Sequence, residues 1–149
     1  MSKRQTIINE LDAKLKAITI VNGYQTNAGN NVFVWREDEL QMHELPGIVY
    51  LDRIAGKREG GSIGMFRWSL AIDIYCYAGA GSNTPAEVRK LVADVLKAIG
   101  AADAGRWNGQ AQATELSDGS EMSIERRGKT AGEAVININI IYDAPLWEI

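Results

Sequence analysis

The spacing of apolar side chains marks two strands and two helices. Between Ile63 and Tyr77 the character alternates, with Phe66, Trp68, Leu70, Ile72, Ile74 and Cys76 on one side. Met65, Arg67, Ser69, Ala71, Asp73, Tyr75 and Tyr77 fall on the other. A period of two puts the first set on the dry face of a β-strand and the second on a wetter face. Sheets of that kind are usually antiparallel. So long a strand should lie centrally or project past the sheet at its Ile63 end. Ala134–Tyr142 repeats the pattern, with Ile136, Ile138 and Ile140 alternating with Asn137 and Asn139.

A different period governs about Lys3 to Ala17, where Ile7, Ile8, Leu11, Leu15 and Ile18 recur at three- and four-residue spacing. That is one stripe of a helix, with Asn9, Glu10, Asp12, Lys14 and Lys16 expected in water. Val88, Leu91, Val92, Val95, Leu96 and Ile99 form a second stripe. Thr84-Pro85-Ala86-Glu87 predicts its start, with threonine as N-cap, proline at the first helical position and glutamate closing a capping box. Gly100 suits the stop. This helix should cover the dry face of the long strand.

Shorter signals fill the intervals. Thr19–Val21 is β-branched and predicts an extended segment before an Asn22-Gly23 turn. Asn27–Asn31 has the chemistry of a loop with left-handed backbone. Val32–Trp35 and Gly47–Asp52 read as strands, the second introduced by Leu45-Pro46, where proline biases Leu45 to extended structure. Gly56–Gly61 is glycine-rich and charged and predicts the mobile tip of a hairpin into the long strand. Ala78–Asn83 is a flexible connection and Ala101–Gly109 irregular. Gln112–Leu116 and Met122–Arg126 predict two further strands, with turns at Ser117–Ser120 and Gly128–Gly132. The sum is an α+β fold over residues 1–149 as a single domain. It is an antiparallel or mixed sheet of about four to six strands with two main helices on one face.

Composition narrows the class. At 149 residues, 46% hydrophobic and 23% charged, the chain suits one globular domain with a real core. A net charge of −3 argues against a general or sequence-specific nucleic-acid binder. The single cysteine, Cys76, excludes an internal disulfide and a cysteine zinc cluster, and its place on the dry face predicts an inert thiol. The N-terminus lacks the pattern of a signal peptide. No apolar run approaches the roughly 20 residues that span a bilayer. The chain is expected to fold in the cytosol of the cell that makes it.

Candidate chemistry is sparse. His43 is the sole histidine, so metal clusters and nucleophile–histidine triads have little to draw on. It reads as a solvated loop residue rather than a base. Glu37, Asp38, Glu39 and Glu44 could hold a hard cation, but without EF-hand spacing they read as a charged loop. Gly56-Lys57-Arg58-Glu59-Gly60-Gly61 lacks the ending of a phosphate-binding P-loop and enters a strand rather than a helix. The Arg126-Arg127-Gly128-Lys129 cluster reads as a solvated turn or as the partner of an acidic neighbour. Trp107 and Trp147 fall outside the periodic segments and are candidates for local packing or for interface anchors.

Three features carry a resemblance over nearly the whole chain: the N-terminal helix running into Gly23-Tyr24, the Glu44-Leu45-Pro46-Gly47-Ile48-Val49-Tyr50 segment, and the closing Ile-Asn-Ile-Asn-Ile-Ile-Tyr strand. In element order and length the chain resembles the tail terminator and tail completion proteins of long-tailed bacteriophages. The resemblance implies a non-enzymatic virion protein without cofactor or metal, assembled in the host cytoplasm. It also implies a homo-oligomeric ring, typically a hexamer, that caps the tail tube protein, ends tail polymerisation and faces the head–tail connector protein. The Pro145–Ile149 tail lies beyond that pattern. Glu37, Glu39, Lys57, Arg58, Arg126, Arg127 and Trp147 are the candidate interface residues, with the Glu37–Glu44 loop of one subunit facing the Arg126–Lys129 turn of the next. Two alternatives are a neck or other minor tail subunit, and a small enzyme or ligand-binding domain, which would need a concave site with convergent polar groups.

Overall fold

The computed structural model describes residues 1–149 except 54–55, 80–82, 102, 118–122 and 128–130; residues 123–127 and 131 are described by their backbone alone. Residues 118–120 and 128–130 of the expected turns and 80–82 of the expected Ala78–Asn83 connection lie outside the described residues; Ala78, Gly79, Ala131 and Gly132, expected in loops, are instead paired strand residues.

The chain opens with helix α1 (Lys3–Lys16), where the Ser2 hydroxyl accepts a hydrogen bond from Gln5 N at 3.1 Å as an N-cap. Two strands follow, β1 (Val32–Val34) and β2 (Gly47–Asp52), then β3 (Gly56–Arg58) and the 15-residue β4 (Met65–Gly79). Helix α2 (Thr84–Gly100) leads to β5 (Ala113–Leu116), β6 (Ser123–Arg127) and the 15-residue β7 (Ala131–Pro145). All strands join one mixed sheet in the order β1-β2-β4-β7-β5. β3 continues the β2 edge of β4, and β6 continues the β5 edge of β7. Only β1 and β2 run parallel. The expected α+β class stands, and the strand count runs to seven once three-residue β3 is included.

β4 and β7 pair antiparallel along their whole length, Met65 opposite Pro145 and Gly79 opposite Ala131, so β4 is central. Opposed residues share a face, and the even-numbered face is the dry one. Leu70, Ile72, Ile74 and Cys76 of β4 and Ile136, Ile138, Ile140 and Tyr142 of β7 are buried in one core with Ile7, Leu11 and Leu15 of α1 and Val88, Leu91 and Val95 of α2. Both helices therefore lie on this face. Burying each such side chain contributes at most about 1.5–3 kcal/mol.

Several local expectations are corrected. Thr84 is the first residue of α2 rather than its N-cap; its hydroxyl donates back to Gly79 O at 3.0 Å. No capping box forms, and Glu87 pairs with Lys90 instead. Thr19–Val21 is not extended: Ile20–Asn22 form a 3-10 turn, with Thr19 Oγ1 accepting from Asn22 N. Gly56–Arg58 is not a loop tip but pairs with Ser69–Arg67 of β4. Lys14 and Asp12 are not simply turned to water. Lys14 Nζ donates to Ala101 O at 3.0 Å, where a cation meets the carbonyls beyond the α2 C-terminus, and Asp12 accepts from Tyr50 Oη at 2.9 Å. Of the two roles open to Trp107, local packing is the one observed. Trp107 is fully buried, donates from Nε1 to Thr114 Oγ1 at 2.6 Å, and lies beneath Lys14.

Candidate interaction surfaces

Among the described residues the odd-numbered face of the sheet carries neither α-helix, and the crossover between β1 and β2 covers its β1 corner. A Cβ added to Gly47 would meet Glu44 O at 2.5 Å and Leu40 Cδ1 at 2.6 Å, so that crossover passes directly over the start of β2. Arg36 lies 4.5 Å above the Phe33 ring and donates to Glu44 Oε1 at 2.8 Å. That hydrogen bond, with a further one from Gln41 N, holds Glu44 down at about 2. One member of the acidic loop is thus spent within the chain, while Glu37, Asp38, Glu39 and His43 are exposed. Leu45 is extended as expected, and the Leu45–Pro46 peptide is cis.

Elsewhere the open face is laced by ion pairs. Arg67 grips Asp143, its direct cross-strand neighbour, through Nε at 2.7 Å and Nη2 at 3.0 Å. This fork holds the Asp143 carboxyl below the usual range. Arg53 holds Asp73 at 2.9 Å through Nε, and Arg58 of β3 reaches Glu115 of β5 at 2.8 Å across the two central strands. Beneath that last pair is an open, polar cleft of about 370 Å³, floored by Ser69 and Asn139. Of its polar groups, Arg58 and Glu115 bond each other, and Asn139 Nδ2 donates to Ser117 Oγ at 3.0 Å. Burial pushes the Cys76 thiol up to about 12, which suits the inert role expected of it. Among the described residues no group of histidine, cysteine and carboxylate side chains could hold a metal ion. Among them, too, no helix is long and apolar enough to cross a membrane.

A group of exposed apolar residues lies at the Met65 end of β4. There the C-terminal tail folds back: Leu146 N donates to Gly64 O at 3.2 Å, and Trp68 Nε1 donates to Glu148 O at 3.1 Å. Trp147 stands 88% exposed, its ring 5.3 Å edge-on to Phe66, which also lies 6.0 Å from Trp68. Lys57 Nζ caps Phe66 at 4.4 Å, and Ile63, Met65, Leu146 and Ile149, at the same end of β4 and β7, are exposed. Exposed apolar residues beside an aromatic cluster with a cation over it are a usual composition of a protein-docking site.

No protein-family model and no curated protein matches this chain.

Of the candidate interface residues, the structure brings Lys57 and Trp147 together through Phe66. Arg58 belongs to the open face, and Glu37 and Glu39 to the β1 corner. Arg126 and Arg127 lie in β6 on the far edge of the sheet, opposite Gly132 and Ala131; their side chains, and Lys129, lie outside the described residues. Two exposed features escaped the sequence. Trp35 ends β1 with a left-handed φ of 55° and ties Nε1 to Asp52 Oδ1 at 3.0 Å. Val34, 47% exposed, lies just inside it on the same edge. A hydrophobic run before a charged loop looks like ordinary core strand, and only the pairing order reveals it as an edge.

Proposed function

We propose that this protein is a ring-forming structural subunit of a long-tailed phage, of the tail terminator kind. It would cap the last ring of the tail tube, end tail polymerisation and offer its other side to the head connector. The reading joins the resemblance in element order to one observation: the protein carries unlike surfaces in perpendicular directions. The Phe66–Trp147 patch sits at one end of the strands. The acidic crossover and the basic β6 sit at opposite lateral edges, about 10 residues further along the strands, or roughly 30 Å. A ring subunit needs this division, with unlike lateral surfaces for its two neighbours and an end surface for the structure below.

Electron microscopy of particles made without this protein tests the assignment. Overlong tails are expected. Tailless heads beside tails of normal length would instead make it a neck connector, and unaltered particles would remove it from tail assembly altogether.

A further inference from the structure

We infer that successive copies join by continuing the sheet, the β1 edge of one subunit pairing antiparallel with the β6 edge of the next. This rests on the ring reading above and names the surfaces that would build the ring.

The register puts the two edges at one height. Val32 lies opposite Ile48, Ile48 opposite Cys76, Cys76 opposite Ala134, and Ala134 opposite Ile124, so one row crosses the whole sheet from β1 to β6. A second row does the same nearer the aromatic end, through Gly56 of β3, Ser69, Ile141 and Ala113 of β5. No strand lies outside β1, β3, β5 or β6 among the described residues.

Direction is equally specific. Because β1 and β2 are the one parallel pair, β1 and β3 run one way and β5 and β6 the other. Had β1 been antiparallel to β2, β1 and β6 would run the same way. As built, a copy rotated about an axis along the strands brings its β1 antiparallel to its neighbour's β6, the stronger arrangement. That axis also turns every Phe66–Trp147 patch to the same side of the ring.

The backbone groups point outward where this requires them. Ile48 N bonds Asn31 O, and Trp35 N bonds Tyr50 O. By the alternation of a ladder, the peptide groups of Val32 and Val34 then face away from β2. Ser117 N bonds Asn137 O, so odd-numbered residues of β7 face β5 and β6. Ile124 and Arg126, opposite even-numbered Ala134 and Gly132, therefore turn their peptide groups outward. Val32-Phe33-Val34 carries no proline, lysine or inward charge, the devices that keep a strand edge from pairing.

Charge selects a second copy over a two-fold partner. The exposed Glu37–Glu39 segment borders the β1 edge, and Arg126-Arg127 belongs to β6. Head-to-tail approach brings edges of opposite overall sign together, with Arg126 level with Asn30 rather than with Glu37 in this register, whereas pairing β1 with β1 or β6 with β6 brings edges of like sign together.

Proline at an outward position removes one edge donor and leaves the bond inside the sheet. Val34→Pro and Ile124→Pro are to be weighed by native mass spectrometry, alone and mixed in equal amounts, with thermal melting to check folding. Each alone should be a monomer. The mixture should give heterodimers, since one intact β1 edge then meets one intact β6 edge. If either variant alone dimerises, the contact is two-fold and the inference fails. If both variants assemble like the wild type, the edges are not the contacts, and the ring reading survives without them. A wild type that stays monomeric at every concentration overturns both. Should a proline variant not fold, Arg126→Glu with Arg127→Glu should weaken assembly at least tenfold at low salt, and adding Glu37→Lys and Glu39→Lys should restore part of it. Assembly of the first pair at wild-type strength would overturn the inference.

Discussion

At the scale of single residues, Ile138 carries the clearest test of which face is dry. It is 2% exposed, opposite Ile72 on β4 and Leu116 on β5. Ile138→Asp buries a carboxylate there at a cost of several kcal/mol, against a typical total stability of about 5–15 kcal/mol. Insoluble or unfolded protein is expected, and soluble protein with unchanged melting would contradict the assigned face. Asp143 gives the pH dependence. Its carboxyl titrates below its ordinary value because Arg67 hydrogen-bonds the charged form. Its contribution is therefore complete above the unfolded value of about 3.9 and fades as pH falls through the folded one. Asp143→Asn should lower the melting temperature at neutral pH and flatten part of its fall in acid. An acid limb identical to wild type would show that the pair contributes nothing. Other residues were illegible because their partners are remote in sequence. Lys14 reaches Ala101 O, and Asp94 accepts from Thr26 N and Thr26 Oγ1, both at 2.8 Å, fixing the loop after α1 to the middle of α2. Gly29 looks like a residue of a left-handed loop, but its role is close approach: an added Cβ would lie 2.4 Å from Lys16 O and 2.7 Å from Ile18 O.

At the scale of elements, both helices and both long strands were legible, since each keeps one apolar period for three turns or more, or for many alternations. The ends were not. β7 runs to Pro145 because its partner β4 continues to Met65, and a pairing partner leaves no mark on the strand's own pattern. Trp107 stayed open between local packing and an interface role for a related reason. The Ala104–Gly109 segment reaches the core through left-handed residues, among them Trp107 itself at φ 55°, so no helical or strand period reports its burial. The β3–β4 hairpin shows how far glycine content can be trusted. Gly56–Arg58 pairs with β4, whereas Glu59–Gly61 lies beyond the ladder, with Gly60 and Gly61 both at positive φ. Arg53 N bonds Ala71 O, so odd-numbered β4 residues face this edge, and Gly56 and Arg58 exchange hydrogen bonds with Ser69 and Arg67. In the isolated subunit the amides of Glu59–Gly61 should exchange rapidly and that of Arg58 more slowly. Equal rates across the hairpin would show that β3 is unpaired in solution.

At the scale of the whole molecule, the sheet has a polar open face, opposed lateral edges and an aromatic end. Of these surfaces the sequence supplied the charges and Trp147. It could not supply their arrangement, because the order β1-β2-β4-β7-β5 is set by long-range pairing and not by any local period. A charged loop or a basic turn is usually only solvated; these become candidates for mutual contact once they stand on opposite edges. The energetics of such contacts are modest individually, with rim charges setting register and association rate more than affinity. Closure, the property that separates a terminator ring from an open filament, depends on the rotation between neighbours. Native mass spectrometry of the purified protein over a range of concentrations measures it directly. A closed species of about 98 kDa is predicted, six copies of the 16.3 kDa chain, with no ladder of larger assemblies. A monomer at every concentration, or an open-ended series of masses, would contradict the account.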